Sequence, residues 1–218
     1  MVRVMRTAAD FDSFYAIPDP WGVSRANVQI ANLRRRLFPI VSGQSVLDVG
    51  CGEGFLTGEV LGCAKSITGI DISHVAIDRA KAKSLSNAHF KQSDFLDCSF
   101  SGYDFISALE CLHYLNPEEQ GLFFDKVANQ HSGKLLVLSG PIIGEVGKNR
   151  YFNHDRLLRI FNAFGFSLLG FHNLTVYWHP FPKGIVSNMI KFPFCYFAVD
   201  WLPDFMIYQR LYIVRAHG

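Results

Sequence analysis

The fold of this chain is decided at residues 46–54, Val-Leu-Asp-Val-Gly-Cys-Gly-Glu-Gly, where an apolar run passes into a turn with three glycines. Glycine adopts positive φ readily and, having no Cβ, lets backbone amides come close to a ligand. The apolar positions within residues 55–61 are typical of a short helix, whose first N–H groups lack partners and carry partial positive charge. The pattern predicts a strand, a nucleotide-type binding turn and a helix, in that order.

Two features separate this turn from the usual dinucleotide-binding turn. The spacing is Gly-x-Gly-x-Gly rather than Gly-x-Gly-x-x-Gly, and Asp48 stands at the end of the predicted strand. A carboxylate in that place repels a pyrophosphate but attracts a cation or an ammonium. S-adenosylmethionine carries both a sulfonium and an α-amino group, so the turn favours that cofactor.

Two further acids follow at the ends of predicted strands. Asp71 ends the run Thr-Gly-Ile-Asp, 17 residues after Gly54, where a carboxylate can accept hydrogen bonds from both ribose hydroxyls. Asp94 ends a third short strand, where it can accept from an adenine amino group while Phe95 packs against the ring. The three acids and the glycine turn together predict one nucleoside-binding edge of a sheet.

In the order of these motifs, residues 46–139 resemble a class I S-adenosylmethionine-dependent methyltransferase. The run at 103–115, Tyr-Asp-Phe-Ile-Ser-Ala-Leu-Glu-Cys-Leu-His-Tyr-Leu, is similar to the family's fourth motif, which flanks the methyl group. The resemblance implies a seven-stranded, mostly parallel sheet whose last strand is antiparallel. The residues expected to contact the cofactor are Asp48, Gly50, Cys51, Gly52, Gly54, Asp71, Ile72, Asp94, Phe95 and Glu110.

The N-terminal region is similar to the nodulation protein S type within this class, which N-methylates a sugar-derived amine. The similarity rests on residues 11–15, Phe-Asp-Ser-Phe-Tyr, and 19–22, Asp-Pro-Trp-Gly. Tyr15 and Trp21 are candidates for an N-terminal lid over the site, with simple packing as their alternative role, and Arg150 and Tyr151 are further candidates for acceptor contact.

Two residues of the fourth motif are candidates for chemistry. His113 lies near the expected methyl position and is the best candidate for a general base, with space-filling as its alternative role. Glu110 is expected to face the cofactor or a substrate amine, with a surface position as the alternative. The reaction predicted is methyl transfer to the nitrogen or oxygen of a small-molecule or sugar-derived acceptor.

Composition supports a single compact enzyme domain. The 218 residues are 49% hydrophobic and 18% charged with a net charge of +2, which argues against disorder and against nucleic acid as a partner. The five cysteines form no Cys-x-x-Cys pair and favour a reducing compartment. Residues 1–10 lack an apolar signal region, so a cytoplasmic location is expected. The histidines show no ligand spacing, so no metal site is predicted.

Alternation of strand and helix patterns predicts a doubly wound α/β fold, with the Rossmann-like sheet covered on both faces. We expect an N-terminal helical cap (1–40), a cofactor-binding core (45–139) and an acceptor-side half (140–218) within one domain. The predicted strands are 45–50, 66–71, 88–92, 103–109, 134–139, 166–176 and 206–216. The predicted helices are 22–38, 54–62, 74–84, 117–131 and 154–164.

An aromatic-rich insertion at 177–205 interrupts this alternation before the last strand. It holds nine aromatic residues and four prolines. Three roles fit it: a segment that packs its own aromatics, a lid over an apolar or sugar-like substrate, and a membrane-surface contact through Lys183 and Lys191. Its apolar run at 192–199 is too short for a transmembrane span.

Two other functions compete with methyl transfer. An NAD-dependent oxidoreductase would also use Asp71 on a ribose, but the glycine spacing and Asp48 count against it. A catalytically silent module that binds the cofactor is the second alternative, since none of the three acids performs chemistry itself.

Overall fold

The computed structural model describes residues 7–142, 153–176 and 199–217. Within these ranges the strands are β1 (Ser45–Val49), β2 (Ser66–Asp71), β3 (Ala88–Gln92), β4 (Phe105–Leu109), β5 (Leu135–Pro141), β6 (Phe166–Val176) and β7 (Ile207–Ala216). The α-helices are α1 (Ala8–Phe14), α2 (Asn27–Val41), α3 (Phe55–Leu61), α4 (His74–Ala82), α5 (Pro117–Gln130) and α6 (His154–Ala163).

The strands form one seven-stranded sheet in the order β3-β2-β1-β4-β5-β7-β6. The first five are parallel, and β7 is antiparallel to both β5 and β6. This confirms the predicted class. All five residues of β4 are buried, as expected of a strand covered on both faces. The chain leaves β1 toward β2 on one side and returns to β4 on the other, which makes the carboxyl end of β1 the switch point where ligands bind in such sheets.

Two apolar clusters hold the layers together. On one face, α5 and α6 pack their aromatic side chains, among them Phe123, Phe124 and Phe161, against the sheet. On the other face, α2 and α3 pack aliphatic side chains, among them Leu33 and Leu61, against the sheet. The sheet is therefore sandwiched, and its carboxyl edge stays free to form a site. No helix within 7–142, 153–176 or 199–217 is long and apolar enough to cross a membrane.

Asparagine side chains cap the first turns of α5 and α6. Asn116 caps α5 in a capping box with Glu119, and Pro117 occupies the first turn. Asn153 caps α6 through the N–H of Arg156.

The helix predicted over 22–38 is wrong at both ends. Gly22 has a left-handed φ of 66°, and residues Val23–Arg25 form a separate 3₁₀ turn before α2 begins at Asn27. The carboxylate of Asp19 accepts the N–H groups of Val23 and Ser24, the first two residues of this turn. It therefore caps the start of the turn. The helix then continues through Pro39 to Val41, because its fully buried apolar face outweighs the hydrogen bond that proline cannot make.

The predicted N-terminal helices are present, since α1 precedes α2 and begins with a capping box between Thr7 and Asp10. The insertion at 177–205 lies mostly outside the described residues. Its described end, residues 199–205, contains Asp200, whose carboxylate accepts the N–H of Asn173 on β6 at 2.8 Å. The three roles considered for the insertion stay predictions.

Candidate active site

The glycine turn is held in a conformation that only glycine adopts easily. Gly50, Gly52 and Gly54 have φ values of 68°, 53° and 73°. A Cβ on Gly50 would lie 2.5 Å from the Cβ of Cys111, and a Cβ on Gly52 would lie 2.7 Å from the hydroxyl of Tyr15. The turn is therefore packed between Cys111 of the fourth motif and Tyr15 of the N-terminal cap.

Asp48 lies at the end of β1, at the base of this turn. It is 3% exposed, and its carboxylate accepts a hydrogen bond from the Thr57 hydroxyl at 2.6 Å. Burial raises the pKa of Asp48 to about 6, although hydrogen bonds from Thr57 and Ser107 lower it. A cation bound beside Asp48 would stabilise its charged form.

Replacing Asp48 with Asn is expected to raise the melting temperature of the ligand-free protein at pH 8. The folded pKa, about 6, lies above the ordinary aspartate value of about 3.9, so ionised Asp48 destabilises the fold. This cost grows as the pH rises through that window and reaches about 3 kcal/mol above it. Asn keeps an acceptor for Thr57 and carries no charge.

Calorimetric melts of wild type and D48N at pH 4 and pH 8 measure this effect, because the gain should shrink at pH 4. D125N, at an exposed position of α5, is the matched control. An equal gain at both pH values would contradict the assignment.

Asp71 fastens the end of β2 to the glycine turn. One carboxylate oxygen accepts the N–H of Gly52 at 2.9 Å, and the other accepts the N–H of Ser73 at 2.9 Å. Burial raises the pKa of Asp71, and these backbone bonds lower it. The carboxylate is thus fixed beside the turn with lone pairs left for a ligand, since each oxygen has two.

The third acid and its neighbours complete this side of the site. Asp94 accepts the N–H of Leu96 at 2.9 Å. Phe95 contacts Phe123 of α5, with ring centroids 5.7 Å apart. Both line the same cavity as Ile72.

Glu110 directly follows β4 and has a left-handed φ of 57°. Its carboxylate accepts hydrogen bonds from the Ser139 hydroxyl and the Gln209 amide, both at 2.8 Å. Burial raises the pKa of Glu110, while hydrogen bonding from Ser139, Gln209 and Gln29 lowers it.

His113 lies in the short 3₁₀ turn Leu112–Tyr114, and its ring contacts that of Tyr114 at 4.2 Å between centroids. Burial lowers the pKa of His113 to about 4. The imidazole is therefore neutral at pH 7.

The N-terminal cap closes over the turn with aromatic side chains. Tyr15 is 6% exposed, and Trp21 donates its indole N–H to the Tyr15 hydroxyl at 3.4 Å. Phe14 stacks on Trp21 at 3.9 Å, and Trp21 contacts Tyr114 at 5.1 Å. Tyr15 and Trp21 both line the cavity, and their role toward an acceptor stays a prediction.

Sequence reasoning missed the polar contacts that hold the cap. Glu53, 6% exposed, accepts the N–H of Asp19 at 2.9 Å and pairs with Arg79 of α4 at 2.5 Å. Asp12 of α1 accepts the Ser73 hydroxyl at 2.6 Å. The one sequence signal was an acid between two glycines of the turn, and nothing marked its partner 26 residues away.

These elements surround one cavity of about 410 Å³. Twelve of the predicted site residues line it: Tyr15, Trp21, Asp48, Gly50, Cys51, Gly52, Asp71, Ile72, Asp94, Phe95, Glu110 and His113. Gly54 does not; it caps α3, where a Cβ would lie 3.1 Å from the ring of Phe90. Arg150 and Tyr151 lie outside the described residues. Within the described ranges, no three potential metal ligands cluster.

This chain is similar to known methyltransferases. Residues 46–130 match the family model of a methyltransferase domain. An uncharacterised methyltransferase of Bacillus licheniformis is 34% identical over 113 residues, 50% of this chain and 51% of that protein. A carboxy-S-adenosyl-L-methionine synthase of Campylobacter fetus is 30% identical over 106 residues, 46% of this chain and 45% of that protein. The chain spans about half the length of these curated relatives.

A solved structure shows the same fold over its whole length. The N-methyltransferase NodS of Bradyrhizobium japonicum, in complex with S-adenosyl-L-homocysteine, has a TM-score of 0.67 and 18% identity. The match covers 98% of this chain and 100% of that one, and at this identity it concerns the fold alone. Residues 46–130 therefore resemble the methyltransferase domain family, and the seven-stranded sheet built around them has the class I methyltransferase fold.

Proposed function

We propose that this chain transfers a methyl group from S-adenosylmethionine to the nitrogen or oxygen of a small-molecule or sugar-derived acceptor. The observation that carries the proposal is the convergence of the glycine turn with Asp48, Asp71 and Asp94 around one cavity. The lining fits a cationic nucleoside, because the backbone of Gly50 and Gly52, which has no Cβ, borders the same cavity as the carboxylates of Asp48 and Asp71.

Each of the chain's own groups has a distinct role in this proposal. Asp71 accepts the ribose hydroxyls, Asp94 accepts the adenine amino group, and Phe95 packs against the adenine ring. Asp48 stabilises the positive end of the cofactor. When bound, S-adenosylmethionine supplies a methyl group on a good leaving group, so the protein mainly aligns the acceptor and excludes water. The cap of Tyr15 and Trp21 provides that exclusion.

Binding measurements separate this proposal from its competitors. We expect calorimetry to show S-adenosylmethionine and S-adenosylhomocysteine binding and no comparable binding of NADH. Preferential NADH binding would support an oxidoreductase instead. Cofactor binding without S-adenosylhomocysteine release, across a panel of amines, hydroxy compounds and amino sugars, would favour a silent binding module.

Replacing His113 with Ala tests whether this residue is the base. A general base typically contributes at least about a hundredfold in rate. With a pKa of about 4, His113 is a poor proton acceptor at neutral pH, so we expect a fall in turnover of only about tenfold, from the lost cavity wall. The affinity for S-adenosylhomocysteine should stay within about twofold, as should both values in the exposed control His89→Ala. A hundredfold loss of turnover with intact binding would assign the base to His113.

A further inference from the structure

Glu110 stands apart from the acids of the cofactor side. Asp48 and Asp71 end β1 and β2, whereas Glu110 follows β4 and lines the other part of the cavity. Its hydrogen-bond donors come from β5, through Ser139, and from β7, through Gln209. In the order β3-β2-β1-β4-β5-β7-β6 these strands lie on the far side of β1 from Asp71. This position favours the acceptor side of the cavity for the carboxylate, rather than the cofactor contact expected for Glu110 from the sequence.

The negative charge of Glu110 is balanced only by neutral groups. Its donors are the hydroxyl of Ser139 and the amide of Gln209, and no Lys, Arg or His side chain forms an ion pair with it among residues 7–142, 153–176 and 199–217. A carboxylate removed from water costs several kcal/mol unless an opposite charge compensates it. A cationic ligand in the cavity would supply that charge.

The backbone at Glu110 is also unusual. A left-handed φ of 57° at a residue other than glycine costs about 1 kcal/mol or more and tends to persist at functional sites. Here it is maintained by the N–H of Glu110, which donates to the carbonyl of Ser139 at 2.9 Å. Gly or Asn would adopt this conformation more easily, yet the chain places a carboxylate there.

Aromatic side chains line the same cavity as this carboxylate. Phe11, Trp21, Tyr114 and Tyr208 all line the cavity. The ring of Tyr114 lies 5.7 Å from that of Phe11 and 5.1 Å from that of Trp21. Ring faces attract ammonium groups, and an aromatic cage is a common way to bind them. One carboxylate with aromatic walls is a site for an organic cation.

Resting on the proposed function, we infer that the acceptor is an amine that binds as its ammonium ion, with Glu110 as its counter-ion and methylation on nitrogen. The ammonium transfers one proton to the Glu110 carboxylate. The freed nitrogen lone pair then forms the bond to the methyl carbon, while the carbon–sulfur bond breaks and its electron pair stays on sulfur. Glu110 afterwards releases its proton to solvent. Glu110 thus takes the part of the base that His113 is poorly suited to play.

Matched acceptor pairs test this inference. Protein saturated with S-adenosylhomocysteine is titrated calorimetrically with phenethylamine and 2-phenylethanol, D-glucosamine and D-glucose, and putrescine and 1,4-butanediol. The same pairs are assayed for S-adenosylhomocysteine release from S-adenosylmethionine. We expect at least one amine to bind and react, and its alcohol partner to bind at least about tenfold more weakly.

Variants of Glu110 complete the test. Glu110→Gln should weaken amine binding by at least about tenfold and leave S-adenosylhomocysteine affinity within about twofold. Glu110→Asp, which keeps the charge, should retain the preference for the amine. Glu118→Gln, an exposed acid in the first turn of α5, should behave as wild type. Retained S-adenosylhomocysteine affinity also shows that each variant is folded.

Several outcomes would overturn the inference. They are equal use of an alcohol and its amine, amine binding unchanged in Glu110→Gln, a loss of S-adenosylhomocysteine affinity in that variant, and no binding of any of the three amines. The proposed function fails separately, if wild type does not bind S-adenosylmethionine or S-adenosylhomocysteine at all.

Discussion

Asp71→Ala is expected to weaken S-adenosylmethionine binding by about 2–3 kcal/mol, or roughly 30- to 150-fold. The variant loses the carboxylate proposed to hold both ribose hydroxyls. It also loses the acceptor that fixes the N–H groups of Gly52 and Ser73 at 2.9 Å, so the glycine turn becomes less well ordered. Both effects act on the cofactor and leave the acceptor half of the cavity unchanged.

Calorimetry with S-adenosylhomocysteine measures this loss. Asp71→Asn keeps one acceptor oxygen without the charge and should give an intermediate affinity. Asp125→Ala, at an exposed position of α5, removes an acid of the same type away from the site and should change nothing. Unchanged affinity in Asp71→Ala would refute the ribose assignment.

Gly50→Ala is expected to have the largest effect on stability. Alanine at a left-handed φ costs about 1–2 kcal/mol, and its Cβ would lie 2.5 Å from the Cβ and 2.9 Å from the Sγ of Cys111. Overpacking of this kind adds about 1–3 kcal/mol. The combined loss corresponds to a melting temperature lower by about 5–15 °C, and the displaced turn should also bind the cofactor poorly.

Gly43→Ala separates the two contributions to this loss. Gly43 has a φ of 76°, but a Cβ there would meet nothing within 4 Å. It therefore carries the backbone strain without the collision. The difference in melting temperature between the two variants measures the contact with Cys111. Equal melting temperatures would mean that Cys111 moves aside at little cost.

The cofactor side of the site could be predicted from the sequence because its signals are local. Asp48 and the glycines stand within seven residues of each other, and Asp71 ends the next strand. Parallel strands bring such ends to one edge of the sheet, so strand order does not have to be known in detail. Gly54 shows the limit of this reasoning, since it shares the motif but packs against Phe90 instead of lining the cavity.

The acceptor side could not be predicted in the same way. The donors to Glu110 are Ser139 on β5 and Gln209 on β7. They are far from it in the chain, and Gln209 reaches it only because β7 inserts between β5 and β6. No spacing in the sequence records that insertion. The predicted start of α2 was wrong for a related reason, since the turn that follows Gly22 depends on the side chain of Asp19.

The closure of the N-terminal cap has a consequence for kinetics. Tyr15 lies over Gly52, and the pair of Glu53 and Arg79 fastens the segment around Asp19 to α4. A nucleoside bound beside Gly52 would lie under Tyr15, so we expect its exchange with solvent to require movement of this segment. Release of spent cofactor and loading of fresh cofactor would then share one opening event, whose frequency would set an upper limit on steady-state turnover.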